Sequence, residues 1–291
     1  MCGFAVLFGA CAARSSSVLA PRSHGIAGAS KAAGPAAATP HAAGRKAVYA
    51  VSAGSSGSAP TSAPLPPATQ RIDDHGPVGS NTFLYLNRTI GKLVVEIDAV
   101  HGYEPAASAV SLLRTRLSQV ADKPAGIDVL PVTVIPGTVS GDAKHTFMEN
   151  TERKYRVHYS TARAIVLYVL YSDNDTGNSI GAAYSSSAFA VFKQSIESAA
   201  TPLVSAEEIE DSVIVHEMGH VLALVNIGYT SPRDHEDPNH PGHSKNPGSV
   251  MYWAVDNVGV VGLLGGHMRP PTTFDADDLA DLRDLRDGKL K

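Results

Sequence analysis

Residues 163–171 limit the architecture of this chain more than any other stretch. Within them, Ala164-Ile165-Val166-Leu167-Tyr168-Val169-Leu170 is an almost unbroken apolar run. A strand wetted on one side alternates apolar and polar residues, so a run without alternation has to be covered on both faces. The flanking segments offer that cover. Leu93-Val94-Val95-Glu96-Ile97 reads as a strand, and 127–135, apolar and β-branched, as another that ends at Pro136. Between them, 106–120 places Ala109, Leu112, Leu113 and Leu117 at helical spacing. After the central run, Asp173-Asn174-Asp175-Thr176-Gly177 marks a turn, and 180–184 and 188–192 read as shorter, more exposed strands. Ser205 and Glu208 form a capping box that opens a helix reaching to about Val225. A loop rich in His, Pro, Asp and Asn covers 226–248, and 275–287 is an amphipathic helix with Leu279, Leu282 and Leu285 on one side. This order predicts an α/β sandwich with a mixed sheet, one domain over 72–291.

Residues 1–71 are a different kind of sequence. They are rich in Ala, Ser, Gly and Pro, and up to residue 70 they hold five basic residues and no acidic one. The remainder carries 19 basic and 28 acidic residues. A segment so poor in large apolar residues cannot bury enough surface to offset its ordering entropy. It reads as a disordered leader and linker. Acid-free, Arg- and Ser-containing sequence suits organelle targeting, whereas the Pro-rich stretch from Pro60 to Pro67 suits a secretory leader followed by a spacer; a misassigned start is a third reading. Both cysteines, Cys2 and Cys11, lie in it. The remainder can therefore hold a metal only through His, Asp, Glu or Asn. The net charge of −4 gives no basic excess for nucleic acid, and no apolar stretch approaches the ~18 residues of a membrane helix.

The chemistry is concentrated in His216-Glu217-Met218-Gly219-His220. Two histidines four apart on a helix share a face, one turn apart, and can reach one ion. Glu217 lies slightly around the helix, where a carboxylate can act on a water as general base without displacing it. Val213, Ile214, Val221, Leu222, Leu224 and Val225 offer an apolar anchor, and Gly219, a poor helix former, implies close packing at its position. A catalytic zinc needs a third protein ligand. Asn226, His235, Glu236, Asp237, His240 and His243 are candidates, all in or beside the His-rich loop.

This segment resembles the metzincins, metallopeptidases with H-E-x-x-H-x-x-G-x-x-H/D followed by a turn containing methionine. Two positions depart from that pattern. Ala223 stands in the place of the glycine, which implies that the helix runs on. Asn226 stands in the place of the third ligand and reads instead as a helix C-cap residue followed by Gly228. The archaemetzincin branch is similar further on. There the third His is followed by Cys, four residues, Cys, one residue and Met; here His243 is followed by Ser244, four residues, Ser249, Val250 and Met251. Over 216–251, the resemblance implies His216, His220 and His243 as ligands of one zinc ion, with His240 and His235 as alternatives for the third. It also implies Met251 as the Met-turn, and loss of the second, cysteine-held zinc. It further implies a metzincin-like mixed twisted sheet, an edge strand at 180–184 that binds extended substrate, and a C-terminal helix. Tyr252 is in the region where some metzincins place an oxyanion-stabilising tyrosine, and Trp253 reads as core or pocket wall. His235 and Asp237 are also candidate outer partners of a ligand imidazole. His101, His145 and His158 lack a motif and read as structural or surface residues.

The leading expectation is a zinc peptidase acting on a peptide or protein substrate. A zinc amidase such as a deformylase would need an upstream Cys ligand, which the chain lacks there. A catalytically silent binding domain of the same fold is the reading from another class; the presence of Glu217 weighs against it.

Overall fold

The two most apolar runs become the middle of the sheet. The computed structural model describes residues 71–141, 145–173, 179–256 and 269–291. The leader and linker expected through residue 71, Arg71 apart, and residues 174–177 of the expected turn lie outside these. Everything described belongs to one compact unit of the chain. Leu93–Val100 (β1) pairs in parallel with Ile165–Ser172 (β4), from Leu93 opposite Ile165 to Ala99 opposite Tyr171. All eight residues of β4 are buried, as its lack of alternation demands.

The expected strand over 127–135 is two short ones, Ile127–Val129 (β2) and Thr133–Ile135 (β3), both parallel to β1. Pro131 lies between them and cannot donate to the ladder. On the other side of β4 comes Ala188–Phe192 (β6), parallel to it, and then Gly181–Ser185 (β5), antiparallel to β6. The order β2-β1-β4-β6-β5 leaves β5 at the edge. β6 is not the exposed strand expected: all five of its residues are buried, because β5 takes the edge position instead.

One face of the sheet is covered by Ala107–Val120 (α2) and Ala206–Val221 (α5), whose Leu113, Leu117, Val213 and Met218 join the main core. The other is covered by Thr146–Tyr155 (α3), through Phe147 and Met148 against Tyr168, Leu170 and Phe192. Helix α3 carries only three large apolar residues, Phe147, Met148 and Tyr155, and the short Thr82–Leu86 (α1) and Lys193–Ala199 (α4) are too brief to show a period. Their existence depends on the surfaces they meet. Ala276–Arg286 (α6) closes the chain, capped by Asp275. The molecule is thus a mixed α/β domain with a six-stranded sheet.

Helix α5 begins as expected. The Glu208 amide donates to Ser205 Oγ at 3.2 Å, and the Ser205 amide donates to Glu208 Oε2 at 2.9 Å. It ends earlier than expected, at Val221 rather than Val225. The Leu224 amide donates to Gly219 O and the Ala223 amide to His220 O, both at 2.9 Å. That pair of bonds is a Schellman motif, and Ala223 occupies its left-handed position with φ +70°. The chain turns sharply without a glycine, at a conformational cost of about 1–2 kcal/mol for an alanine.

Candidate metal centre and cleft

The turn after α5 orients the second histidine. It presents Leu224 O, which accepts from His220 Nδ1 at 2.9 Å. His216 Nδ1 donates to Val250 O at 2.7 Å. With both Nδ1 protons so engaged, both Nε2 atoms carry lone pairs, and these face each other at 3.0 Å. His243 completes the group: its ring stacks on His216 with centroids 5.2 Å apart and meets His220 edge-on at 4.9 Å. Its Nε2 is buried with no hydrogen-bond partner. One ligand-type atom from each of the three lies within 4.8 Å of the others.

Three inward lone pairs repel one another unless a cation lies among them. Tetrahedral zinc with nitrogen ligands at about 2.0 Å sets those nitrogens about 3.3 Å apart, close to the His216–His220 spacing. The donor set also fits on charge. Burial and the neighbouring imidazoles push His216 well below its ordinary pKa and His220 down to about 3; burial lowers His243 too. All three are neutral at pH 7, the form that binds a metal.

A hairpin inside the His-rich loop brings His243 to this place. Glu236–Asp237 (β7) pairs antiparallel with His240–Ser244 (β8), where the sequence showed only loop. Glu236 ties it to the turn after α5. Its Oε2 accepts from Asn226 Nδ2 at 2.7 Å and its Oε1 from the Gly242 amide at 2.9 Å, while the Val225 amide donates to Gly242 O at 3.0 Å. Asn226 is therefore neither a ligand nor a helix cap. With φ +57°, it fastens the loop, and its Oδ1 accepts from the Ser231 amide at 2.8 Å.

The alternative ligands point elsewhere. His240 stacks flat on Trp253, centroids 4.1 Å apart, and its Nδ1 lies 3.0 Å from Asp237 Oδ2. Asp237 is thus a partner of His240. His235 is buried among carboxylates: its Nε2 is 2.9 Å from Asp281 Oδ2 and its Nδ1 3.4 Å from Asp278 Oδ1. Asp281 also accepts from Tyr229 and Arg233. His235, Asp275 and Asp278 form a second group of ligand-type atoms within 4.8 Å of one another, and an imidazolium at His235 offsets part of its negative charge. Ser244 and Ser249, both buried, belong to the same region. Ser249 Oγ donates to Asp278 Oδ2 at 2.5 Å and accepts from the Met251 amide at 2.9 Å.

Met251 is fully buried against α5. A Cβ on Gly219 would lie 2.2 Å from Met251 Sδ, which is the close approach the glycine implied. Tyr252 packs beside Trp253, with ring centroids 5.6 Å apart.

Glu217 faces the edge strand. A Cβ on Gly181 of β5 would fall 2.5 Å from Glu217 Oε1. Beside them opens a cleft of about 310 Å³, lined by Glu217, His220, Gly181, Ala183, Val78 and Ile227 among others. His145, read from sequence as a structural or surface residue, also lines it. No local motif marked His145; only the packing of α3 brings it there.

Among solved structures, the chain is similar to archaemetzincin from Methanopyrus kandleri, with 16% identity and a TM-score of 0.41 over 68% of this chain and 96% of that one. No family model and no curated protein matches the chain. A likeness at this level carries no argument about function, which rests on the side chains themselves.

Proposed function

We propose that this protein is a zinc-dependent peptidase, with His216, His220 and His243 holding one ion and Glu217 moving the protons. One observation carries the reading: three neutral imidazoles turn lone pairs inward beside a carboxylate that lines an open cleft. Zinc, when bound there, supplies Lewis-acid chemistry, polarising a carbonyl and making water acidic. The protein's own groups do the rest. Val250 O and Leu224 O hold the Nδ1 protons of His216 and His220, which fixes each tautomer and keeps Nε2 inward. Glu217 takes a proton from the attacking water and returns it to the departing amine. Strand β5, with β6 as its strand neighbour among the described residues, offers its outer edge to an extended peptide by β-augmentation.

The deciding experiment compares the wild type with Glu217→Gln on a peptide library, with zinc content measured in parallel. Zinc bound by both, and cleavage falling about 10²- to 10⁴-fold in the variant, supports the reading. Zinc bound without Glu217-dependent cleavage would leave a silent binding domain. Cleavage of small acylated amines but of no peptide would leave an amidase.

A further inference from the structure

Three residues with ionisable side chains line the cleft: Glu217, His220 and His145. Two of them already have tasks. Glu217 carries the protons, and His220 spends its Nδ1 proton on Leu224 O while its Nε2 turns to the metal position. Ser179, the remaining polar side chain on the wall, donates its hydroxyl to Gly181 O at 2.6 Å. His145 alone has no such engagement among the described residues: its imidazole makes no hydrogen bond, ion pair or ring contact with them. Its backbone is nonetheless firmly placed. His145 is the residue before α3, and its carbonyl accepts from the Met148 and Glu149 amides at 3.1 and 3.2 Å. Phe147 and Met148, just behind it, are buried against Tyr168, Leu170 and Phe192. The sheet thus fixes where α3 starts, and the exposed ring of His145 is free to meet whatever enters the cleft.

The geometry points to His145 as a further catalytic residue, whose ring N–H donates to the carbonyl oxygen of the cut bond as that oxygen gains negative charge. The inference rests on the peptidase reading of the cleft. Peptide hydrolysis makes two demands beyond the attack of water. The departing amine needs a proton, which Glu217 returns, and the carbonyl oxygen needs hydrogen-bond donors. A carboxylate has no N–H or O–H to give, whereas a neutral imidazole carries one N–H in either tautomer. The cleft, at about 310 Å³, is at the small end of ligand-sized pockets, so a peptide in it meets opposite walls at once. The donation is a hydrogen bond only; no proton leaves His145. A bound peptide also displaces water from the ring, which strengthens the bond as charge develops. Loss of one such donor costs about 10²- to 10³-fold in kcat.

The test uses the full chain with zinc, as wild type, His145→Ala and His145→Gln, with zinc content measured for each. Substrates are end-blocked peptides and the same peptides with a free C-terminus or an added Glu. A phosphinate peptide, whose charged oxygens stand where the carbonyl oxygen gains charge, measures transition-state affinity apart from turnover. In His145→Ala, kcat on the blocked peptides should fall about 10²- to 10³-fold, with KM and zinc content within a few-fold of wild type. The phosphinate should weaken by the same factor as kcat/KM, a parallel that a merely structural role would not produce. His145→Gln, whose amide still donates, should recover about tenfold of the loss. Wild-type kcat in His145→Ala, with cleavage still lost in Glu217→Gln, overturns the role of His145 and leaves the peptidase reading intact. A loss seen in KM alone, and confined to peptides with a free carboxylate, also overturns it and makes His145 an anion-recognising wall. Failure of the wild type to cleave any peptide overturns both readings.

Discussion

Gly181 on the edge strand lies so close to Glu217 on α5 that a β-carbon there would come 2.5 Å from Oε1 and 2.7 Å from Cγ. The strand and the carboxylate are fitted to each other through the missing side chain. A methyl group there fits only if the buried Glu217 side chain shifts, so Gly181→Ala should displace the carboxylate while leaving the zinc content intact. A misplacement near 1 Å costs about a hundredfold, and kcat should fall to that extent. Wild-type kcat in the alanine variant, measured with equal zinc loading, would count against Glu217 as the proton carrier.

The third ligand separates three histidines of one loop. His243→Ala should weaken zinc binding by about a hundredfold or more, beyond what loss of an outer hydrogen-bond partner costs. His240→Ala removes only the stack on Trp253 and the contact with Asp237, so its zinc affinity should stay within a few-fold of the wild type. Competition with a chromogenic chelator measures both. The reverse ranking would mean that the hairpin presents a different imidazole.

Glu236 acts on His243 through the backbone. Its carboxylate holds Asn226 and the Gly242 amide at once. Glu236→Ala should therefore lower zinc affinity about 10- to 100-fold, as outer-shell partners do, although Glu236 is not among the converging ligand atoms. If the variant binds zinc as tightly as the wild type, some other contact sets the position of β8.

Gly219 has no space for a methyl group. The β-carbon of Gly219→Ala would meet Met251 Sδ at 2.2 Å, with Phe274 Cε1 3.2 Å away. Met251 is fully buried and must move with its turn, so overpacking should cost about 1–3 kcal/mol, read as a lower denaturation midpoint. An alanine variant as stable as the wild type would show that the turn is free to retreat.

His235 gives the fold a pH dependence of defined sign. Burial alone would depress its pKa, but hydrogen bonds and charge from Asp278 and Asp281 outweigh it and raise it to about 10. The folded state thus binds this proton more tightly than the unfolded chain, whose histidine titrates near 6.5. The stabilisation is complete below about pH 6.5 and is lost as pH rises through about 10. Chemical denaturation at pH 6, 8 and 10 should show that decline, and His235→Ala should flatten it. Leaving Asp278 buried without its cation should also cost about 3–5 kcal/mol at pH 6. A wild-type profile with no decline would mean that His235 is neutral in the folded state.

Local rules carry much of the fold. The start of α5 needs only Ser205 and Glu208, β4 needs only its unalternated run, and α6 needs only its spaced leucines; each depends on residues a few positions apart. Helices α1 and α4 are too short to show a period and α3 is mostly polar, so none stands out in the sequence; packing against the sheet or core sustains them. The end of α5 departs from expectation for a related reason. Ala223 has no intrinsic taste for a left-handed backbone, but the Schellman bonds, together with Gly79 packed on its Cβ, hold it there. Propensity cannot foresee a turn stabilised by a segment so far away in the chain.

The candidate site divides the same way. Helical periodicity is enough to put His216 and His220 on one face with Glu217 beside them, and that can be read from five consecutive residues. The placement of Cys2 and Cys11 likewise excludes a thiolate ligand from everything beyond the first residues. Which loop histidine joins the pair is a matter of folding, since it depends on Glu236 bridging Asn226 to Gly242. Folding also sets Glu217 against Gly181 and brings His145 to the cleft. Those relationships join residues whose separation along the chain bears no relation to their distance in space, and side-chain packing, not local preference, fixes them.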